Sequence, residues 1–312
     1  MKYRSFAILG AGTLHAKVFR EYLDTHPLPG VHAHLFGDDE MLMTASGEAA
    51  DFIQPESPEE VQDFPLLVDF KCGRSAAIAA AGKILASGTI VPPDGAALVL
   101  FGANESRLLA HGSCTAPHPL SSVLLRALGG RPISGLAAGH IVALTSTEEE
   151  GQEGQDELFN QTVALINTGS FKPKVYKEQV AYNLVPTPGE SLPARVHAEV
   201  ENFLGKGWLA PVQTARAGTF FGTLAAIHLE FGSPDAKAAF LRTRQTDPAL
   251  VWQPEGCRGL VHAVQEEGIF ISTAAETGRS LQLWIACDPL RAGMAWNLAG
   301  LVEQFFQHYP TN

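Results

Sequence analysis

The chain has 312 residues, 46% hydrophobic and 18% charged, which is typical of a globular protein and too apolar for a disordered one. Its formal net charge of −11 excludes a general attraction to the phosphates of nucleic acids or to anionic lipids. No apolar window approaches the ~20 residues that a membrane-spanning helix requires. The length is comfortable for two domains.

The first third of the chain alternates short apolar runs with helical segments. "FAILGAG" is predicted to be a buried strand entering a glycine turn, and "TLHAKVFREYLDTH" has the apolar spacing of a helix. Further strands are predicted in "VHAHLFGDDE", "LLVDFKCG", "TIVPPDG" and "ALVLFGAN", and a helix in "SAAIAAAGKILASG". This alternation predicts a parallel sheet covered on both faces, in a Rossmann-like domain of dinucleotide-binding type.

From about Pro119 the pattern changes to strands beside a few helices. Helices are predicted in "PLSSVLLRALGG", "QDELFNQTVALIN" and "RVHAEVENFLG", and strands in "GLAAGHIVALTST" and "QVAYNLVPTPG". "PVQTARAGTFFGTLAAIHLEFG", "GLVHAVQEEGIFISTAAET" and "SLQLWIACD" are predicted to be long antiparallel strands. We therefore predict an α/β protein, with a Rossmann-like domain of residues 1–118 plus 288–312 and an α+β domain of residues 119–287. The final helix, in "MAWNLAGLVEQFFQHYP", is expected to return to the first domain.

The stretch "HGSCTAPHPL" places Cys114 in a predicted loop between His111 and His118. The four cysteines form no CxxC pair, which is typical of free thiols in the cytosol, and the short N-terminal apolar run lacks the ending of a signal peptide. A cytoplasmic location is therefore expected. Metal binding is an alternative, because His111, Cys114 and His118 form an H-x2-C-x3-H motif. Structural zinc uses four ligands, however, and no fourth ligand is evident. Pro117 and Pro119 also hinder the folding of the three side chains around one ion.

Five segments resemble, in the same order, segments of the aspartate-semialdehyde dehydrogenase family. "GSCTAPHPLSSVLLRALGG" is similar to the nucleophile segment of the family, and "EGQEGQDELFNQT" to its glycine-rich turn and following helix. "VAYNLVPTPGE" is similar to its Ala-Phe-Asn strand and "ARAGTFFGTLAAIHLEF" to its Arg-Val-Pro-Val strand. "DPLRAGMAWNLAGLVE" resembles its Asp-Asn-Leu-Arg-Lys-Gly-Ala-Ala segment. The chain most resembles the divergent Usg branch of the family.

The resemblance implies an oxidoreductase that acts on aldehydes or acyl phosphates through a cysteine thioester, with a nicotinamide cofactor. It implies Cys114 as the nucleophile, and the helix that begins just after it would lower the pKa of the thiol. Arg216 matches the arginine that binds the substrate carboxylate, and Arg195 lies about where the family has a phosphate-binding lysine. The resemblance also implies a homodimer formed through the second domain.

The chain departs from the family at several catalytic positions. The general-base histidine is replaced by Thr223, which cannot accept and return a proton near neutral pH. The nearest histidine of that strand, His228, would face the opposite side. Thr145 stands in the place of the glutamine that positions the intermediate. Glu148, Glu149 and Glu150 replace a glycine-rich segment, and we expect them to be a solvated run of charges at a helix start.

The predicted cofactor turn is "GAGTLHA", which has Thr13 and Ala16 where the family has its later glycines. Asp38, at the end of the second predicted strand, is expected to bind a ribose hydroxyl and to disfavour a 2′-phosphate, so NAD is preferred over NADP. The predicted cofactor residues are Gly10, Gly12, Thr13, Asp38 and Gly293.

Two hypotheses from different classes follow. The first is an NAD-linked aldehyde or acyl-transfer enzyme that uses Cys114 as the nucleophile and Arg216 to hold a carboxylate of a small-molecule substrate, with a base that the sequence does not identify. The second is a homodimeric binding or scaffolding protein that retains the fold without the activity. The reactivity of the Cys114 thiol and the binding of a dinucleotide separate the two.

Overall fold

A computed structural model describes residues 4–37, 54–55, 61, 63–71, 83–90, 95–104, 106–167, 169–253, 256 and 259–308. The chain divides into two compact units, one of residues 1–119 with 294–312 and the other of residues 120–293. The helices in chain order are α1 (Leu14–Thr25), α2 (Arg107–Ala110), α3 (Pro119–Leu128), α4 (Gly151–Asn167), α5 (Ser191–Leu204), α6 (Pro234–Gln245) and α7 (Trp296–His308). No helix in the described ranges is long and apolar enough to cross a membrane.

The first unit contains a sheet whose described pairings are all parallel. Its strands are β1 (Arg4–Leu9), β2 (Val31–Gly37), β3 (Gln54–Pro55), β4 (Leu66–Asp69), β5 (Lys83–Ala86), β6 (Ala97–Leu98) and β7 (Ser113–Thr115), in the order β3-β2-β1-β4-β5-β7-β6. The strands β2 and β3 lie on one side of β1, and β4 to β7 lie on the other. Open parallel sheets bind ligands at such a switch point, beyond the carboxyl ends of the strands. The predicted Rossmann-like sheet is confirmed.

The C-terminal helix α7 packs on the first unit. The ring of Phe306 lies 6.5 Å from that of Phe6 on β1, and Asn297 Oδ1 accepts a hydrogen bond of 2.7 Å from the backbone N–H of Phe101. A Cβ at Gly300 would come within 2.5 Å of the Phe101 ring, so the helix needs a glycine there to approach this closely. The predicted return of the last helix is therefore confirmed.

Several local predictions for the first unit were wrong. The end of "SAAIAAAGKILASG" is not helical, because Lys83–Ala86 forms β5, an apolar run buried between β4 and β7. Cys114 lies on β7 and not in a loop. Residues 38–40, 72–73, 75–82 and 91–94 of the predicted segments lie outside the described residues.

The second unit contains a mixed sheet in the order β12-β13-β14-β11-β8-β10-β9. Its strands are β8 (Leu136–Thr145), β9 (Leu184–Pro186), β10 (Gln213–Ala217), β11 (Thr223–Phe231), β12 (Leu250–Trp252), β13 (Ile269–Thr277) and β14 (Ser280–Cys287). The pairs β8–β10 and β12–β13 are parallel and the others are antiparallel. The predicted α+β organisation with a mixed sheet is confirmed.

The segment predicted as one long strand over "PVQTARAGTFFGTLAAIHLEFG" is divided into β10 and β11, which lie on opposite sides of β8. The chain crosses between them through Gly218, where a Cβ would come within 2.4 Å of Val180 O, and Gly222, whose φ is +92°. Both positions therefore favour glycine. The crossing brings the carboxyl ends of β8 and β10 to the same edge of the sheet as the amino end of β11.

Candidate functional site

Cys114 is the predicted nucleophile, and it lies on β7 between β5 and β6, opposite Leu85 and Ala97. Its side chain is fully buried, and the thiol donates a weak hydrogen bond to Arg107 O at 3.9 Å. Burial raises the pKa of the Cys114 thiol to about 11, although the positive charge of Lys83 acts in the opposite direction. The thiol is therefore protonated at neutral pH in this structure.

Lys83 fixes the segment that leads into Cys114. Its Nζ donates hydrogen bonds to Leu109 O at 2.6 Å and His111 O at 3.0 Å. His111 is exposed, whereas His118 is buried. No group of three or more His, Cys, Asp or Glu side chains in the described ranges is arranged to hold a metal ion, so this motif is not gathered into a metal site.

The predicted cofactor turn follows β1 at the switch point of the first sheet. Gly10 has a φ of +70°, and a Cβ there would come within 2.8 Å of Lys71 Cβ, whereas a Cβ at Gly12 would meet nothing within 4 Å. Thr13 is the N-cap of α1, and its Oγ1 accepts a hydrogen bond of 3.2 Å from the backbone N–H of Ala16. The left-handed Gly10 and the open backbone at Gly12 fit the close approach of a pyrophosphate.

In the second unit, Arg216 on β10 is almost completely buried. Its Nη2 donates to Glu150 Oε1, its Nη1 donates to Glu190 Oε1 at 3.4 Å, and its Cζ lies 5.2 Å from the centre of the Tyr176 ring. The Nε of the guanidinium has no hydrogen-bond partner among the described residues. We call Arg216, Glu150, Glu190 and Tyr176 the Arg216 cluster. The predicted carboxylate-binding arginine is therefore paired with carboxylates of its own chain.

Both carboxylate oxygens of Glu150 accept hydrogen bonds. Oε1 accepts from Arg216 Nη2, and Oε2 accepts from Tyr176 Oη at 2.9 Å. Burial raises the pKa of Glu150 to about 7, although Arg216 and the Tyr176 hydroxyl favour the ionised form. A Cβ at Gly154 on α4 would come within 2.5 Å of both Tyr176 Oη and Thr147 O. Because position 154 carries no side chain, the Tyr176 hydroxyl can lie against α4 and reach Glu150.

Glu148 is fully buried beside the start of β11. Its Oε1 accepts a hydrogen bond of 3.1 Å from the backbone N–H of Gly222, and burial, with the carboxylates of Asp288 and Glu149 nearby, raises its pKa well above the ordinary value. Its burial therefore favours the protonated form of Glu148. The expectation of a solvated run over Glu148 to Glu150 was wrong, because tertiary partners far away in the sequence enclose two of the three side chains.

Thr145 and Thr223 occupy the positions where the resemblance implies a glutamine and a histidine. Thr145 lies opposite Arg216 on the neighbouring strand. Both threonine hydroxyls are buried and lack a hydrogen-bond partner within the described part of the chain. His228 lies on the opposite face of β11, with its ring 6.2 Å from that of His140. The strand therefore does not bring His228 to the position of Thr223.

The remaining predicted residues also belong to the second unit. Arg195 Nε donates a hydrogen bond of 2.8 Å to Glu199 Oε1, one turn along α5. Glu190 is the N-cap residue of that helix, but its side chain makes no capping hydrogen bond and contacts Arg216 instead. Gly293 lies in a π-helical segment, Pro289–Ala295. Sequence reasoning did not assign Tyr176 or Glu190 to the site, and no local pattern marks them.

The chain is similar in sequence to proteins of the family that its motifs resemble, although no family model matches it. It is 26% identical to the aspartate-semialdehyde dehydrogenase of Rickettsia conorii over 178 residues, 53% of each chain. It is 28% identical to a USG-1 protein homolog of Pseudomonas aeruginosa over 185 residues, 54% of each chain. These two matches span about half the length of the curated relatives. A USG-1 protein homolog of Azotobacter vinelandii is 26% identical over 335 residues, covering 95% of this chain and 96% of that protein.

Solved structures show the same fold over nearly the whole chain. A probable aspartate-semialdehyde dehydrogenase from Pseudomonas aeruginosa is 21% identical, with a TM-score of 0.84 over 99% of this chain and 100% of that one. Aspartate semialdehyde dehydrogenase II from Vibrio cholerae is 16% identical, with the same TM-score and coverage. The resemblance found in the sequence is therefore confirmed, and the fold is that of a semialdehyde dehydrogenase.

Proposed function

We propose that this chain, a relative of the aspartate-semialdehyde dehydrogenases and USG-1 homologues, is a cytoplasmic oxidoreductase for aldehydes or acyl compounds, with Cys114 as the nucleophile and an altered substrate site. One observation carries the proposal. Cys114 lies on β7, whose carboxyl end shares an edge of the parallel sheet with the left-handed glycine turn after β1. Parallel sheets bind their ligands at this edge.

In the proposed reaction, the Sγ of Cys114 bonds to the carbonyl carbon of an aldehyde while its proton moves to a base. A nicotinamide cofactor, when bound, would supply the hydride acceptor, and loss of hydride from the adduct would leave a thioester on Cys114. Because the pKa of the buried thiol is about 11, the substrate complex must lower it or supply a base. Thr223 cannot be that base. We propose a changed substrate because the sequence has Thr145 and Thr223 where the resemblance implies a glutamine and a histidine.

Gly10, Gly12 and Thr13 would hold the pyrophosphate of the cofactor. Asp38, which would select NAD over NADP, lies outside the described residues, so this preference remains a prediction from the sequence. Calorimetric titration with NAD and NADP tests the proposal. Gly12→Glu, whose side chain extends into open space, should fold and should weaken binding at least about tenfold by repelling the pyrophosphate.

The matched control is Gly259→Glu, which adds the same charge at a second glycine with open space around it. Equal weakening by the two variants would indicate a general charge effect and no site at Gly12. Failure of the wild-type protein to bind both nucleotides would end the oxidoreductase proposal.

A second candidate function is a binding or scaffolding protein without redox activity. It is favoured by the raised pKa of Cys114 and by the pairing of Arg216 within the chain. Labelling with iodoacetamide, followed by peptide mass analysis to isolate Cys114, separates the two functions. A nucleophile should label faster in the presence of a dinucleotide, whereas in a scaffold the labelling should follow a pKa of about 11 with and without it.

We also propose a homodimer formed through the open face of the second sheet. Residues alternate along β8, β11 and β14, so that one face is buried and the other exposes apolar side chains, including those of Val142 and Trp284. An apolar sheet face of this kind is suited to burial against a second subunit. Trp284→Arg should convert a dimer into a monomer in light scattering at micromolar concentration.

Two other exposed apolar residues serve as comparisons for the dimer. Val261→Arg, in a short helical turn, should leave the dimer intact. Ile166→Arg tests the exposed apolar side of α4, and dissociation by this variant alone would move the interface from the sheet to that helix. A monomeric wild-type protein would contradict the dimer altogether.

A further inference from the structure

We propose that the carboxylate of Glu150 occupies a carboxylate-binding site at the guanidinium of Arg216 and excludes external carboxylates from that site. This inference rests on contacts within the second unit and does not depend on the proposed function.

The first support is the way in which Glu150 is held. Oε1 accepts from Arg216 Nη2 and Oε2 accepts from Tyr176 Oη at 2.9 Å, so both oxygens of the carboxylate have a donor. Arginine and a hydroxyl are the donors that a protein uses to bind a free carboxylate. Glu150 therefore makes within the chain the contacts that an external carboxylate would make.

The second support is that the surrounding structure is built for this arrangement. Arg216 is 4% exposed, and a cation at this depth requires an anion beside it. Gly151, with a φ of +64°, joins the 3₁₀ turn Thr147–Glu150 to α4, and Gly154 leaves room for the Tyr176 hydroxyl. Replacement of either glycine by a larger residue would disturb the position of Glu150 or of its partner.

The third support is the remaining hydrogen-bonding capacity of Arg216. Its Nε is buried and has no hydrogen-bond partner among the described residues. Glu190 is the weaker of the two acidic partners, because its contact is 3.4 Å long and its side chain is 47% exposed. With both acids in place, the unused N–H can take a neutral acceptor such as a carbonyl or hydroxyl oxygen, but a further carboxylate would be repelled.

The experiment removes the internal carboxylate and offers an external one. Glu150→Ala leaves a space of one carboxylate beside Arg216, and calorimetry should show acetate binding at least about tenfold tighter than to the wild-type protein, from one charge-assisted pair of hydrogen bonds. Acetate should also raise the Tm of this variant more than chloride at equal ionic strength. Glu150→Gln keeps the space filled and should not bind acetate.

Two controls fix the position of the binding. Glu153→Ala removes the same charge from an exposed position of the same helix, and it should behave as the wild-type protein does. The double variant Glu150→Ala with Arg216→Met should lose the acetate binding gained by the single variant. Acetate binding that is no tighter in Glu150→Ala than in Glu153→Ala, or that survives in the double variant, would overturn the proposal. If Glu150→Ala does not fold, refolding in acetate should rescue it where chloride does not, and failure of that rescue would also count against the proposal.

Discussion

The glycine turn of the first unit and the Arg216 cluster of the second both lie at the carboxyl ends of parallel strands, but they are built from different features. The turn depends on the backbone, on the left-handed Gly10 and the open Gly12. The cluster depends on side chains from separate elements that neutralise one another. The comparison indicates that backbone conformation alone can shape one such edge, whereas buried charged side chains at another require partners from other elements.

The largest effect should come from removing the cation of the Arg216 cluster. Arg216→Met leaves Glu150 and Glu190 without their shared partner and should reduce the free energy of unfolding by about 3 kcal/mol, measured by urea denaturation. The loss should be smaller at pH 6 than at pH 8, because Glu150 can then become neutral. Arg242→Met, an exposed arginine on α6, is the control. Similar values for the two variants would mean that the cluster does not stabilise the protein.

Alanine at a glycine should distinguish the two regions directly. In Gly154→Ala the new Cβ would clash with Tyr176 Oη and Thr147 O, both 2.5 Å away, so we expect a loss of about 2 kcal/mol in spite of the better helix propensity of alanine. Gly12→Ala adds a Cβ where nothing lies within 4 Å and should change stability by less than about 0.5 kcal/mol. Thermal unfolding of both variants provides the measurement, and a stable Gly154→Ala protein would show that Tyr176 can move without cost.

The pH dependence of stability tests the environment of Glu150. In the folded protein its pKa is about 7 against an ordinary value of 4.5, so the folded state binds the proton more tightly than the unfolded state does. The free energy of unfolding should therefore fall as the pH rises from about 4.5 to about 7, by roughly 1–3 kcal/mol, through this group. Glu150→Gln lacks this contribution, whereas Glu148 is present in both proteins. Parallel stability curves for the two proteins between pH 5 and pH 8 would show that the pKa of Glu150 is not raised.

The sequence predicted the sheets well, because strands buried in a parallel sheet are continuous apolar runs and the half-buried strands of the second unit alternate. The sequence could not predict that one apolar segment forms two strands, β10 and β11, on opposite sides of β8. The sequence also did not predict that Glu150 pairs with Arg216 and Tyr176, because these residues are 66 and 26 positions away in the chain. A local run of acids has the same pattern whether it meets water or a buried arginine. The partner that decides between these outcomes is fixed only by the tertiary fold.

The smallest expected effect concerns the thiol in the first unit. Lys83 lowers the pKa of Cys114, so Lys83→Met should raise it further and slow labelling by iodoacetamide at pH 9 about threefold. Lys83 Nζ also holds Leu109 O and His111 O, and Lys83→Arg, which keeps the charge and can donate to these carbonyls, should label at nearly the wild-type rate. Slow labelling of both variants would assign Lys83 a purely geometric role. Unchanged labelling of Lys83→Met would show that burial alone sets the pKa of the thiol, and that an active Cys114 must obtain its base from the substrate complex.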